Sequence, residues 1–452
     1  MSKDADVSTA QNTQSVTGFD QWSALPAAAR ALGERVAVHP GSWIPVGAAA
    51  AAGAIGDGLT RRYLDALVRA GILEQDDAGR YRLTAPDPTA AIDEGALDRV
   101  LSWYLHTARN AVTIMGLDSW RGPLPDPLPG VHAEAFADFA HGRAWLHTHH
   151  DVLAVAGRAA AATGRDQIAW QLPALLHGAQ AVWHDEAPWA LAARLGRQAA
   201  ERCGDKAGLA VMLESDGKRL MQVGDVAGAL GALQQALDLR VETGDEAGQV
   251  RSLNAIGLAY RHSGEMERAV LQFQDTLDLA RQIGDEQFAT FARMNLGAAL
   301  MRTGRAVEGE SLLRHALDDL GGHGQPVYEA NALADLGEAR RVQGDLVGAE
   351  VAGRRAVALA QDTGVEVFLA SCLAQLAHTL TAAGRPSEAI NALREAASIY
   401  TDRGRHLRHA VILDQAADLY HHLGMGESAD AARRTAADIR HLIPTGQDTH
   451  DR

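Results

Sequence analysis

Six glycines stand 40 residues apart: Gly224, Gly264, Gly304, Gly344, Gly384 and Gly424. A second ladder, Gly204, Gly244, Gly284, Gly324, Gly364 and Gly404, runs midway between them. A fixed period of this size is the signature of a stacked repeat array, in which each unit buries its apolar face only against its neighbours. Each ladder glycine follows an amphipathic segment, where a residue able to enter the left-handed region ends a helix. Asp205, Asp225, Asp245, Asp285 and Asp345 directly follow ladder glycines and are expected to cap the next helix. Glycines every 20 residues would break a continuous coiled coil. The pattern therefore predicts short antiparallel helix pairs.

Small residues mark where the paired helices must approach. Seven positions before each glycine of the first ladder stand Gly217, Gly257, Gly297, Gly337, Ala377 and Ala417. Five positions after it stand Ala229, Ala269, Gly309, Ala349, Ala389 and Ala429. Leu213, Leu253, Leu333, Leu373 and Leu413 are expected to fill the layer between repeats. This pattern resembles the tetratricopeptide repeat (TPR) in a 40-residue form. The resemblance implies an all-α fold, a right-handed α-solenoid of helical hairpins, with six clear repeats over 206–440.

Composition agrees with helices. Apolar residues make up 47% of the 452 residues and aromatics only 5%, which excludes a wholly disordered chain and disfavours sheets. The net charge of −15 opposes non-specific attraction to phosphate backbones. Cys203 and Cys372 offer neither a disulfide framework nor zinc-ligand spacing. The N-terminal segment lacks the apolar core of a signal peptide, and no run is long enough to span a bilayer. A cytoplasmic location with no membrane partner is expected.

Upstream of the clear repeats, 1–18 reads as a polar disordered tail and 19–85 as a small separate domain. LPAAARALGERVAV, VGAAAAAGAI and LTRRYLDALVRAG read as three helices. ILEQDDAGRYRLT then alternates as a hairpin about Asp77-Ala78-Gly79. Three helices and a hairpin give the order of a winged helix. Residues 86–132 read as a linker, a helix near 94–115 and a loop with Pro123, Pro125, Pro127 and Pro129. Residues 133–205 read as degenerate helical repeats, helical from Ala133 onward, and 441–452 as a tail.

The order of LPAAARALGERVAVHPGSW, LDALVRAGILEQDDAGRYRL, RVLSWYLHTARNAV and the later Gly-Asp repeats resembles the C-terminal half of actinobacterial NB-ARC/TPR regulators of the antibiotic regulatory protein type. The resemblance implies a winged helix that closes a nucleotide switch and repeats that act as its sensor. The phosphate-binding G-x-x-x-x-G-K-[ST] motif and the family's DNA-binding domain are both absent from the sequence. His39 matches the family's His-Pro-Gly segment, and without the phosphate loop a turn-forming role is expected for it. No cofactor is expected.

No catalytic constellation is present: neither a G-x-S-x-G elbow nor H-E-x-x-H occurs. A non-enzymatic protein is expected. His147-Thr148-His149-His150-Asp151 is the only local cluster of metal-ligand types and reads as a solvated helix face, so no metal is expected. Residues 21–85 carry seven arginines against six carboxylates, weak for a DNA surface, although Arg61 and Arg62 could reach a groove.

The positive signal lies along the first helix of each repeat. If the repeat alignment holds, Arg251, Asn254, Leu258 and Arg261 line the concave face in the second repeat, and Phe291, Met294 and Met301 in the third. The fourth adds Asn331, Glu338 and Arg341, and the fifth His378. Such a lining suits a peptide or protein segment, with Asn254 and Asn331 bonding its backbone and the methionines adapting to an apolar anchor. Alternatively, Phe291 and Met294 pack between repeats. The expected function is a regulatory or adaptor protein that binds a peptide or protein partner. The alternatives are a DNA-binding regulator that uses the winged helix, and an accessory protein that presents a precursor peptide to a biosynthetic enzyme.

Overall fold

The computed structural model describes residues 21–84, 93–117, 120, 122–177, 179, 187–321 and 325–442. The expected N-terminal tail, residues 85–92, Gly324 and residues 443–452 of the expected C-terminal tail lie outside them, while 441–442 continue the last helix. The described chain is helical apart from one hairpin and forms two compact units. The first reaches Leu176 and includes Pro188–Ala199; most of the second runs from Ala200 onward.

In the first unit, α1 (Ala27–Val36), α2 (Val46–Gly53) and α3 (Asp57–Arg69) precede β1 (Leu73–Gln75) and β2 (Tyr81–Leu83). The strands pair antiparallel, with Leu73 opposite Leu83, and Ile44 bridges to Tyr81. Asp76 holds the turn by accepting from the Ala78 and Arg80 amides, at 3.1 and 2.8 Å. The elements follow the expected order, but no closed β domain forms around so short a hairpin.

α4 (Glu94–Ile114) is capped by Asp93, which accepts from Ala96 N at 2.9 Å. Its Arg99 donates to Ala51 O and Ala52 O, satisfying carbonyls at the end of α2. Trp103 and Tyr104 are fully buried, and the Trp103 ring lies so close that a Cβ on Gly47 would stand 2.4 Å from it. His39 is buried in the same core. Its Nδ1–H donates to Gly41 O at 2.8 Å, and Nε2 accepts from Tyr104 Oη at 2.7 Å. Burial pushes its pKa down to about 4, so the ring is a neutral structural pin for the His-Pro-Gly turn.

α5 (Phe139–Ala162), α6 (Asp166–Leu176) and α7 (Ala187–Arg202) follow. Helix begins at Phe139, later than Ala133. The reason is that α4 side chains satisfy the Glu134 backbone: Asn110 donates to its carbonyl at 2.7 Å, and Thr107 Oγ1 accepts from its amide at 3.2 Å.

The second unit contains six helical hairpins. They are α8 (Lys206–Gln222) with α9 (Val226–Thr243), α10 (Glu246–Ser263) with α11 (Met266–Gln282), and α12 (Glu286–Arg302) with α13 (Ala306–Leu320). Next come α14 (Pro326–Val342) with α15 (Leu346–Thr363), α16 (Glu366–Ala382) with α17 (Pro386–Asp402), and α18 (His406–His422) with α19 (Gly426–Leu442). Every described ladder glycine has positive φ, between 62° and 87°. The aspartates that follow cap as expected: Asp205, Asp225, Asp245, Asp285 and Asp345 each accept an amide three residues on, at 2.8–3.0 Å.

Within hairpins the small residues bring the backbones together. A Cβ on Gly309 would stand 2.6 Å from Gly297 O, and one on Gly257 would stand 2.6 Å from the Phe273 ring. Phe273, Leu277, Leu296 and Leu300 then pack one hairpin onto the next.

A buried ionic hub anchors the first two hairpins. Glu214 accepts from Lys218 Nζ and Arg240 Nη1, both at 2.5 Å, and Arg240 also reaches Gly248 O and Ser252 Oγ. Arg240 is 1% exposed. Burial raises the Glu214 pKa, but Lys218, Arg240 and Arg251 outweigh it and hold the carboxyl well below the usual carboxylate range.

These contacts set the expected outcome of three substitutions. Gly309→Ala should cost about 1–3 kcal/mol in urea unfolding, because the added methyl meets backbone. Gly231→Ala, on a helix site with open space around it, should be stabilising by about 0.5–1 kcal/mol. Glu214→Gln should cost about 3–5 kcal/mol at neutral pH by leaving Arg240 buried without its carboxylate. The depressed pKa stabilises the fold above the unfolded value, near 4.5. The gap between wild type and variant should therefore hold at higher pH and narrow as pH falls below that value.

Candidate binding wall on the first helices

The first helices α10, α12, α14, α16 and α18 bring a polar network onto one wall of the second unit. Asn295 of α12 donates to Asn254 Oδ1 of α10 at 2.9 Å and accepts from Arg261 Nη1 at 3.4 Å. On α14, Arg341 clasps Glu338 with two bonds of 2.6 Å. His378 of α16 lies in the field of Glu338, Arg341 and Arg302 and bonds Gln415 of α18; burial is the main cause of its lowered pKa. Asp335 bonds Gln375 and is buried, which raises its pKa against the opposing fields of Arg261 and Arg302. Of the residues expected on the concave face, Asn254 and Arg261 thus share Asn295, Glu338 pairs with Arg341, and His378 lies in the field of that pair, while Asn331 is half-buried on the same helix as Glu338.

The others lie elsewhere. Arg251 faces the ionic hub, 3.7 Å from Asp245 and in the field of Arg240. Phe291 stacks on Tyr328 with ring centroids 4.2 Å apart, and Met294 packs beside it with Leu320. Met301 is buried with Leu313 and Leu336, and Leu258 packs into the cores around Phe273 and Ile256. These four side chains serve packing between hairpins.

Sequence reasoning missed a column two positions before the small residue in the last four repeats: Asn295, Asp335, Gln375 and Gln415. The signal was available, since polar side chains recur there at the same 40-residue phase inside otherwise apolar helices. Arg302 and Arg408 were missed for a different reason. Arg302 ends α12 and acts on Arg261 of the neighbouring hairpin, whereas Arg408 reaches Arg261 because the array curves, and curvature is not a property of one repeat.

The remaining candidates are resolved by their contacts. His149 is buried, stacks on Trp145 and donates to its carbonyl at 2.8 Å. His150 Nδ1–H donates to His147 O at 2.9 Å. Among the described residues no three His, Cys, Asp or Glu side chains form a metal-binding group. Arg61 and Arg62 are exposed in the first half of α3. Among the described residues no helix is long and apolar enough to cross a membrane.

Comparisons with known proteins agree with this architecture. Residues 369–402 match the tetratricopeptide repeat family model. No curated protein gives a significant match to the sequence. Among solved structures, a Rap protein complexed with Competence and Sporulation Factor superposes with a TM-score of 0.54 at 14% identity, covering 95% of this chain and 98% of that one. A signal transduction ATPase with numerous domains (STAND) that carries a TPR sensor, from Pyrococcus horikoshii, gives 0.55 at 13% identity, covering 93% of this chain and 61% of that one. Aspartyl phosphate phosphatase F from Bacillus subtilis gives 0.50 at 12% identity, covering 78% and 96%. At these identities the likeness is one of fold. By its repeat pattern, its six hairpins and these likenesses, the chain is a TPR-like solenoid protein.

Proposed function

We propose that this chain is a non-enzymatic regulatory or adaptor protein whose first-helix wall binds a peptide or protein segment. The observation that carries the reading is the set of polar groups that three hairpins carry on their first helices: Asn254 and Arg261 bonded through Asn295, Glu338 clasped by Arg341, and His378 in the field of both. Amides and paired charges on such a wall can exchange their mutual bonds for those of a peptide backbone. The Rap structure is a complex with Competence and Sporulation Factor, and the STAND protein's repeats are described as a sensor. A sensing role in the manner of actinobacterial NB-ARC/TPR regulators, in the cytoplasm, fits the same reading. In it, 19–85 serves as a winged-helix module, 133–205 as degenerate repeats and 206–440 as a right-handed solenoid.

Panning the full chain against displayed random dodecapeptides tests the proposal. We expect enriched peptides that compete for one site and bind about tenfold more weakly to Asn254→Ala/Glu338→Ala. Absence of any enriched peptide, or equal binding by the variant, would overturn it.

The exposed pair Arg61 and Arg62 favours one second reading, a DNA-binding regulator. Mobility shift of genomic fragments should then fall with rising salt and with Arg61→Ala/Arg62→Ala. Absent or unchanged binding removes that reading.

A further inference from the structure

The second unit curves until its ends meet. Arg405, just before α18, donates to Gln222 at the end of α8 at 3.3 Å, and a Cβ on Gly224 would stand 3.8 Å from Leu407. This closure carries Arg408 to the C-terminal ends of α10 and α12, where Arg261, His262 and Arg302 stand. Arg408 and Arg302 act electrostatically on both Arg261 and His262. Burial is the larger effect on each; it lowers the Arg261 pKa and, with these cations, brings His262 to about 4. His262, Arg302 and Arg408 nevertheless keep exposed side chains.

Among the described residues, Arg261, Arg302 and Arg408 form no ion pair with a carboxylate. Elsewhere in the unit arginines are clasped by acids, as Arg354 and Arg385 are by Glu350 and Glu388. The carboxylate whose field reaches Arg261 and Arg302 is Asp335, and its burial favours protonation. A chain of net charge −15 has thus set three cations within one another's fields. Beside Asp335, Gln375 leaves its Oε1 buried with no hydrogen-bond donor.

We propose that this arginine cluster anchors an acidic side chain of a bound peptide, whose backbone N–H meets the Gln375 acceptor. The proposal rests on the peptide-binding reading above and assigns the charge class of the partner. A carboxylate matches the guanidinium forks. A neighbouring amide acceptor needs a donor, which a peptide backbone supplies and a phosphate polyanion does not. The net negative charge also steers nucleic acid away.

A positional-scanning hexapeptide library, fixed at each position in turn as acidic, basic or apolar, tests this on the full chain. Wild type should retain peptides with Asp or Glu fixed at one position. Arg302→Gln/Arg408→Gln, at exposed sites, should lose that preference and bind the selected peptide about tenfold more weakly, with unchanged circular dichroism and Tm. The wild-type affinity should fall as salt rises. Retention of basic or neutral peptides, an acidic preference that survives the double substitution, or an oligonucleotide held by the same arginines in place of peptide overturns the assignment while peptide binding stands or falls separately. Retention of no peptide of any charge overturns the peptide-binding reading as well.

Discussion

The structure depends on how closely two antiparallel helices can pass within a hairpin. At Gly297 and Gly309 the helix backbones touch, and at Gly257 a phenylalanine ring occupies the space of a side chain. A methyl group at either place would push the helices apart. Because each hairpin packs on the next, a change in one crossing is passed along the array as a change in curvature. The meeting of Gln222 with Arg405 is the sum of those crossings.

Curvature is also what creates the chemistry. A single hairpin offers only a few polar groups along its first helix. Stacked hairpins align Asn254 with Asn295 and Asp335 with Gln375, so each amide or carboxylate finds its partner one repeat away. The second helices are treated differently. Their surfaces carry clasped ion pairs such as Arg305 with Glu308 and the Arg354, Glu350, Arg385 and Glu388 cluster. Exposed pairs of this kind contribute little to stability and keep the outer surface hydrated.

The hairpin boundaries were legible in the sequence because they are local. A glycine with positive φ and an aspartate cap need only neighbours within a turn, and all five capping aspartates bond as the pattern implies. The wall was legible in part. Repeat phase marked Asn254, Arg261, Glu338, Arg341 and His378. It also marked Met294 and Met301, whose outcome depends on the neighbouring hairpin: Leu320 and Leu313 cover them. Arg251 was drawn away by the Glu214 hub, which lies on a helix two elements upstream. Arg408 required the whole turn of the array.

The claim that successive close crossings bring the first and last hairpins together is best tested by the distance between spin labels on Gln222→Cys and Leu407→Cys, with Cys203 and Cys372 replaced by serine. Electron–electron double resonance should give one narrow population at the short end of the measurable range. A broad distribution at long distance would describe an open array and contradict the account.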